Sequence, residues 1–149
     1  MSEGANPLDV PWIELAKWPY ADPVLHFRVR AADGGWAAEH EFYLDRDEMA
    51  ELGRRLEAFS LAGAGEVILS LGERRGGGGW LHLRVWVADS SGRAALTLDV
   101  GNAESGADRR EASFTIRCDV AALNSLGARL PRWLDTDAPA LRVELASDL

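Results

Sequence analysis

Two apolar stripes of helical spacing constrain this chain more than any other feature. Met49, Leu52, Leu56 and Phe59 fall at intervals of three, four and three, and Leu123, Leu126, Leu130 and Trp133 repeat the order 74 residues later. Such a stripe must be buried against another element, because a lone amphipathic helix cannot hide its apolar side. Gly53 and Arg55 map onto Gly127 and Arg129 at the same offset, and Val67, Leu69 and Leu71 map onto Leu141, Val143 and Leu145.

Before and between the stripes lie alternating runs that read as half-buried strands. In Val24 to Ala31, Leu25, Phe27 and Val29 share one face and His26, Arg28 and Arg30 the other. Asp33-Gly34-Gly35 is a hairpin signal, after which Trp36 to Leu44 returns with Glu39, Glu41 and Tyr43 facing outward. Asp45 or Asp47 can cap the first helix and Asp119 the second, while Pro131 is expected to kink the second or end its regular bonding. Leu81 to Val87, Ala94 to Val100 and Ala112 to Cys118 alternate in the same manner.

The predicted architecture is α+β: two related units of meander, helix and strand forming a largely antiparallel sheet, with both helices on one face. A single domain spans 1–149, made of an arm at 1–11, a first half at 12–71, a Gly-rich connector at 72–79 and a second half at 80–146. The hairpin residues Leu25 and Leu81 match only at an offset of 56. Either the second half holds an extra strand, or Trp12 to Trp18, otherwise an edge strand or cover, is the first strand of the first half.

The 24 acidic and 16 basic side chains give a net charge of -8, which counts against nucleic acid or an anionic membrane surface as the main partner. No apolar run approaches the ~20 residues of a membrane span, and Met1 to Val10 lack the features of a signal peptide, so a cytoplasmic location is expected. Cys118, the single cysteine, allows no internal disulfide or cysteine-based zinc site. One lysine, Lys17, against fifteen arginines suggests a GC-rich bacterial genome.

The expected outward face carries the candidate binding residues: His26, Arg28, Arg30 and Tyr43 from the first half, Trp80, His82, Arg84 and Trp86 from the second. Trp80 and Trp86 stand on one strand with His82 and Arg84 between them, all projecting one way. Trp, Tyr and Arg concentrate binding energy at interfaces, so one reading is a partner surface. The plainer reading is an ordinary ladder of cross-strand ion pairs with the indoles lying over arginine stems. A metal or acid-base site from His26, His82, Glu39 and Glu41 has no supporting local spacing, and no catalytic residue, metal or cofactor is expected. Cys118 reads as a buried apolar group, His40 as a partly buried one, and Ser90 and Ser91 as turn residues.

The strand hairpins ending in an acidic residue, the short amphipathic helix and the midpoint Asp89-Ser90-Ser91-Gly92 resemble small bacterial families of unknown function, some similar to toxin-immunity proteins. The resemblance covers the pattern of residues 24–146 and carries no site residues. The expected function is a non-enzymatic protein-binding module that uses the Trp80, His82, Arg84 and Trp86 face or an acidic edge, and the charge of -8 suits an immunity-type role against a basic, toxin-like protein. Residues 1–75 hold fourteen acidic and eight basic side chains, making the first half the expected docking side. The alternatives are a small-ligand or metal-dependent enzyme site, which needs His26 and His82 to meet, and a homodimer packed through Trp80 and Trp86.

Overall fold

The alternation of Leu25, Phe27 and Val29 with His26, Arg28 and Arg30 becomes strand β2 (Val24–Asp33), which turns at Gly34 and returns as β3 (Trp36–Asp45). Gly34 takes a φ of 64°, a left-handed conformation that glycine adopts without a Cβ clash. The register sets Asp33 opposite Trp36 and Phe27 opposite Phe42. The computed structural model describes residues 10–18, 24–59, 66–71, 80–89, 91–102, 104 and 106–146. The arm before residue 10 and the connector at 72–79 lie outside the described residues.

The other elements are β1 (Trp12–Lys17), α1 (Arg46–Ala58), β4 (Val67–Leu71), β5 (Trp80–Val87), β6 (Arg93–Gly101), β7 (Glu111–Asp119), α2 (Val120–Leu134) and β8 (Ala140–Glu144). The chain is α+β and dominated by its sheets. The single expected sheet is in fact two antiparallel sheets of four strands, ordered β3-β2-β1-β8 and β4-β5-β6-β7. The reason lies in the first strand of each half. β1 is not an edge or a cover, because it pairs with β2 on one side and β8 on the other. β5 likewise pairs with β4 and β6. Each sheet therefore takes its fourth strand from beyond the other half's helix, and β1 stands in the order of elements where β5 stands.

The inward faces of both sheets and the stripes of both helices share one core, in which Phe27, Phe42, Leu96 and Ile116 meet Met49, Leu56, Leu123 and Leu130. Burial of each such side chain contributes about 1.5–3 kcal/mol relative to exposure. Glu48 reaches back to the Asp45 N–H at 3.4 Å at the start of α1, as a capping box requires.

The helices meet where neither carries a side chain. A Cβ on Gly53 would lie 2.9 Å from both the Gly127 carbonyl oxygen and Pro131 Cδ, so the two backbones approach more closely than larger residues permit. α2 continues to Leu134 with Pro131 inside it, and the regular bonding lapses at that position. Proline has no N–H to give the carbonyl four residues earlier, and that carbonyl belongs to Gly127 at the crossing.

Both helix C-termini are closed by side chains from elsewhere in the chain. Asn124 Nδ2 donates to the carbonyls of Leu56, Glu57 and Phe59 at 2.9, 3.1 and 2.8 Å. Lys17 Nζ donates to Trp133 O at 2.6 Å and Thr136 O at 2.7 Å, and lies 4.7 Å from the Trp133 ring centroid. The only lysine thus supplies the positive charge favoured at a helix C-terminus. Desolvation, with repulsion from Arg46, lowers the pKa of its ammonium.

Candidate functional site

Because β1, β2, β3 and β8 lie side by side, every second residue of each contributes to one outer face. At one end, the His26 ring stacks between Trp18, 4.0 Å between centroids, and Tyr43, 4.6 Å away. Glu41 Oε1 lies 2.7 Å from His26 Nε2, so the carboxylate orients the imidazole that the rings clamp. At the centre, Glu14 Oε1 stands 3.6 Å from Arg30 and 4.0 Å from Arg28, and Arg30 continues to Glu39 at 3.2 Å. The Arg28 guanidinium also lies 5.9 Å from the Trp18 ring. Its Nε is buried with no hydrogen-bond partner among the described residues. At the other end, Trp12 takes the Arg142 guanidinium at 4.0 Å and the Arg30 guanidinium at 5.9 Å.

This is a row of aromatic rings and guanidinium groups bound together by carboxylates. Arginines over indoles and in carboxylate networks lose little further freedom on binding, which favours them as contact groups. The imidazole-carboxylate pair has no hydroxyl or thiol bonded to it among the described residues, so the geometry supplies orientation and hydrogen bonding.

The outer face of the second sheet is sparser. Arg84 pairs with Glu66 at 2.5 Å and lies 4.6 Å from the Trp86 ring, and His82 Nδ1 is 3.6 Å from Asp99. Thr97 and Thr115 share a hydrogen bond of 2.9 Å across β6 and β7.

The eight sequence-predicted residues therefore do not share one face. His26, Arg28, Arg30 and Tyr43 lie together on the first sheet, and His82, Arg84 and Trp86 lie on the second. Trp80, expected on the open side, is only 3% exposed. Its register partner is Gly101, where a Cβ would come within 2.4 Å of the indole, so the missing side chain provides the slot that the ring fills. His26 and His82 stand on different sheets, each beside its own carboxylate, and the structure does not join them. The sequence reading missed Trp12, Trp18, Glu14 and Arg142 as members of the face. One available signal was the Trp-x5-Trp spacing, present at 12 and 18 and again at 80 and 86.

His40 is half-buried and lies beside the Gly101 and Trp80 backbone of the second sheet. Burial lowers its pKa, against the opposing pull of the Gly101 and Trp80 backbone and of Glu41. Cys118 is buried, and desolvation together with the charges of Asp119 and Asp33 pushes its thiol up to about 12. Among the described residues no group of three or more His, Cys, Asp or Glu is placed to hold a metal ion, and no helix is long and apolar enough to cross a membrane. Comparison with protein-family models, curated proteins and solved structures gave no match.

Proposed function

We propose that this chain is a non-enzymatic protein-binding module of the bacterial cytoplasm, with an immunity-like role against a basic protein, and that it docks through the outer face of the first sheet. The observation that carries this reading is the joined array of Trp12, Arg30, Glu14, Arg28, Trp18, His26 and Tyr43. Interfaces draw most of their energy from such Trp, Tyr and Arg groups when these are held rigid before contact. The net charge of -8 supports a basic partner, because opposite fields speed encounter.

The alternatives have less support. A metal or small-ligand enzyme site needs His26 and His82 together, and they belong to different sheets. A homodimer through Trp80 and Trp86 has lost the buried Trp80 from its surface.

The test is affinity capture from the source cell with wild-type and Tyr43→Ala bait. One basic protein should be retained in stoichiometric amount by the wild type and at least ~10-fold less by the variant, as for an interface hot spot. Retention of nothing, or equal retention by both baits, would overturn the reading.

A further inference from the structure

β3 is the outermost strand of its sheet, and its register shows which of its backbone groups face outward. A two-residue turn places Asp33 and Trp36 as the first hydrogen-bonded pair, so the pairs Ala31/Ala38, Val29/His40, Phe27/Phe42 and Leu25/Leu44 follow in alternation. The intervening residues Ala37, Glu39, Glu41 and Tyr43 turn their N–H and C=O groups away from β2. Among the described residues no backbone hydrogen bond reaches these groups from outside the hairpin.

Among the described residues, the β7 and β4 edges carry hydrogen bonds that this one lacks. The Asp33 carboxylate accepts the Arg117 N–H of β7 at 3.0 Å, and Arg55 donates to the Ile68 carbonyl of β4 at 3.3 Å. β8 offers only five residues, whereas β3 has ten. Large aromatic rings flank the open stretch, with Trp36 76% and Tyr43 52% exposed. A groove of about 270 Å³ lined by Glu39, His40, Glu41 and Asn102 runs beside it. Unpaired strand edges of this length are templates for another strand.

We propose that the β3 edge accepts an extended segment of a partner protein as a fifth strand, with Lys or Arg at alternate positions facing Glu39 and Glu41. The proposal rests on the protein-binding reading above and specifies its partner. Both carboxylates keep more than half of their side-chain surface exposed, at 57% and 56%, although each already touches Arg30 or His26. A carboxylate has lone pairs for further donors. A second copy of this chain is a poor occupant. Any two-fold antiparallel register that engages residues 39–43 sets Glu39 against Glu41, Glu41 against itself, or Glu39 against Asp45, and directly opposed like charges destabilise a ladder.

The experiment uses the full chain and three synthetic peptides of about seven residues, the usual strand length. One alternates Lys with Val, one replaces each Lys with Glu, and one is the Lys peptide N-methylated at alternate amides. The Lys peptide should slow amide exchange at Ala37, Glu39, Glu41 and Tyr43 by at least ~10-fold, while the other two should not. Ala37→Pro removes one outward N–H from an edge where proline is tolerated, and Glu39→Lys reverses one charge. Each should weaken Lys-peptide binding at least ~10-fold with the circular dichroism unchanged. Absence of binding, binding without protection of those amides, preference for the Glu peptide, or indifference to Ala37→Pro would each overturn the proposal. So would protection of the same amides by self-association as concentration rises. If a captured partner binds the Ala37→Pro chain at full affinity yet loses Tyr43→Ala, the edge proposal fails and the protein-binding reading stands.

Discussion

The Gly127 carbonyl oxygen lies against Gly53 where the two helices cross, and a methyl group built on Gly127 would come within 2.5 Å of Gly53 O and 2.3 Å of Glu57 N. The obstacles are backbone atoms, which cannot swing aside as a side chain can. Gly53→Ala and Gly127→Ala each gain up to about 1 kcal/mol of helix propensity, but overpacking typically costs about 1–3 kcal/mol. Both variants should be net destabilised, Gly127→Ala the more so, as a lower urea midpoint with an unchanged slope. A raised midpoint for either would mean that the helices can separate at little cost.

Asp33 links the first sheet to the edge of the second. Its carboxylate takes the Arg117 N–H at 3.0 Å and the guanidinium Nη2 at 2.8 Å. Burial alone would raise its pKa, but these bonds outweigh burial and hold the carboxyl below its usual range. Asp33→Ala should cost about 1–2 kcal/mol near neutral pH, discounted because Arg117 is largely exposed. The contribution is present above the unfolded value of about 3.9 and disappears as pH falls through the lower folded value. The difference between wild type and variant should therefore be full at pH 6 and shrink towards pH 3. A gap that does not change over that range would exclude the ionic part of the contact.

His40 loses its contribution in the same direction, from a different cause, which is burial. Its pKa is lowered, so just below the unfolded value of about 6.5 the unfolded chain takes up a proton that the folded chain refuses. Its share of stability is complete above that value and is lost as pH falls towards the folded value. Unfolding free energies measured at pH 7.5 and 5 should drop more for wild type than for His40→Gln. Equal drops would assign the pH dependence to other groups.

With its thiol pushed up to about 12, Cys118 carries almost no thiolate at pH 8. A disulfide reagent at that pH should label the native chain no faster than the chain unfolds, and label it at once in denaturant. Immediate stoichiometric labelling of the native form would contradict the burial found for this residue.

Strand and helix identities were legible because the stripes from Met49 to Phe59 and Leu123 to Trp133, and the alternation around Phe27, record burial directly. The division into two sheets was not, because which strand lies beside β1 depends on the return of β8, a contact spanning more than a hundred residues. The burial of Trp80 was hidden for a related reason. Alternation assigns it the same side as His82 and Arg84, but the vacancy it fills belongs to Gly101 on the neighbouring strand. Half of the candidate face, His26, Arg28, Arg30 and Tyr43, followed from the β2 and β3 pattern alone. Trp12 and Trp18 were set aside because large apolar groups near the start of a chain suggest cover, whereas here arginines and His26 stack on them.

The exchange of fourth strands has a consequence for assembly. Neither β1-β2-β3 nor β5-β6-β7 can complete its layer until the chain beyond the opposite helix arrives, so the two lobes clasp each other and must mature together. A nick between β4 and β5 would then leave two pieces, each holding a rib of its neighbour's wall, that stay interlocked as a reconstituted whole.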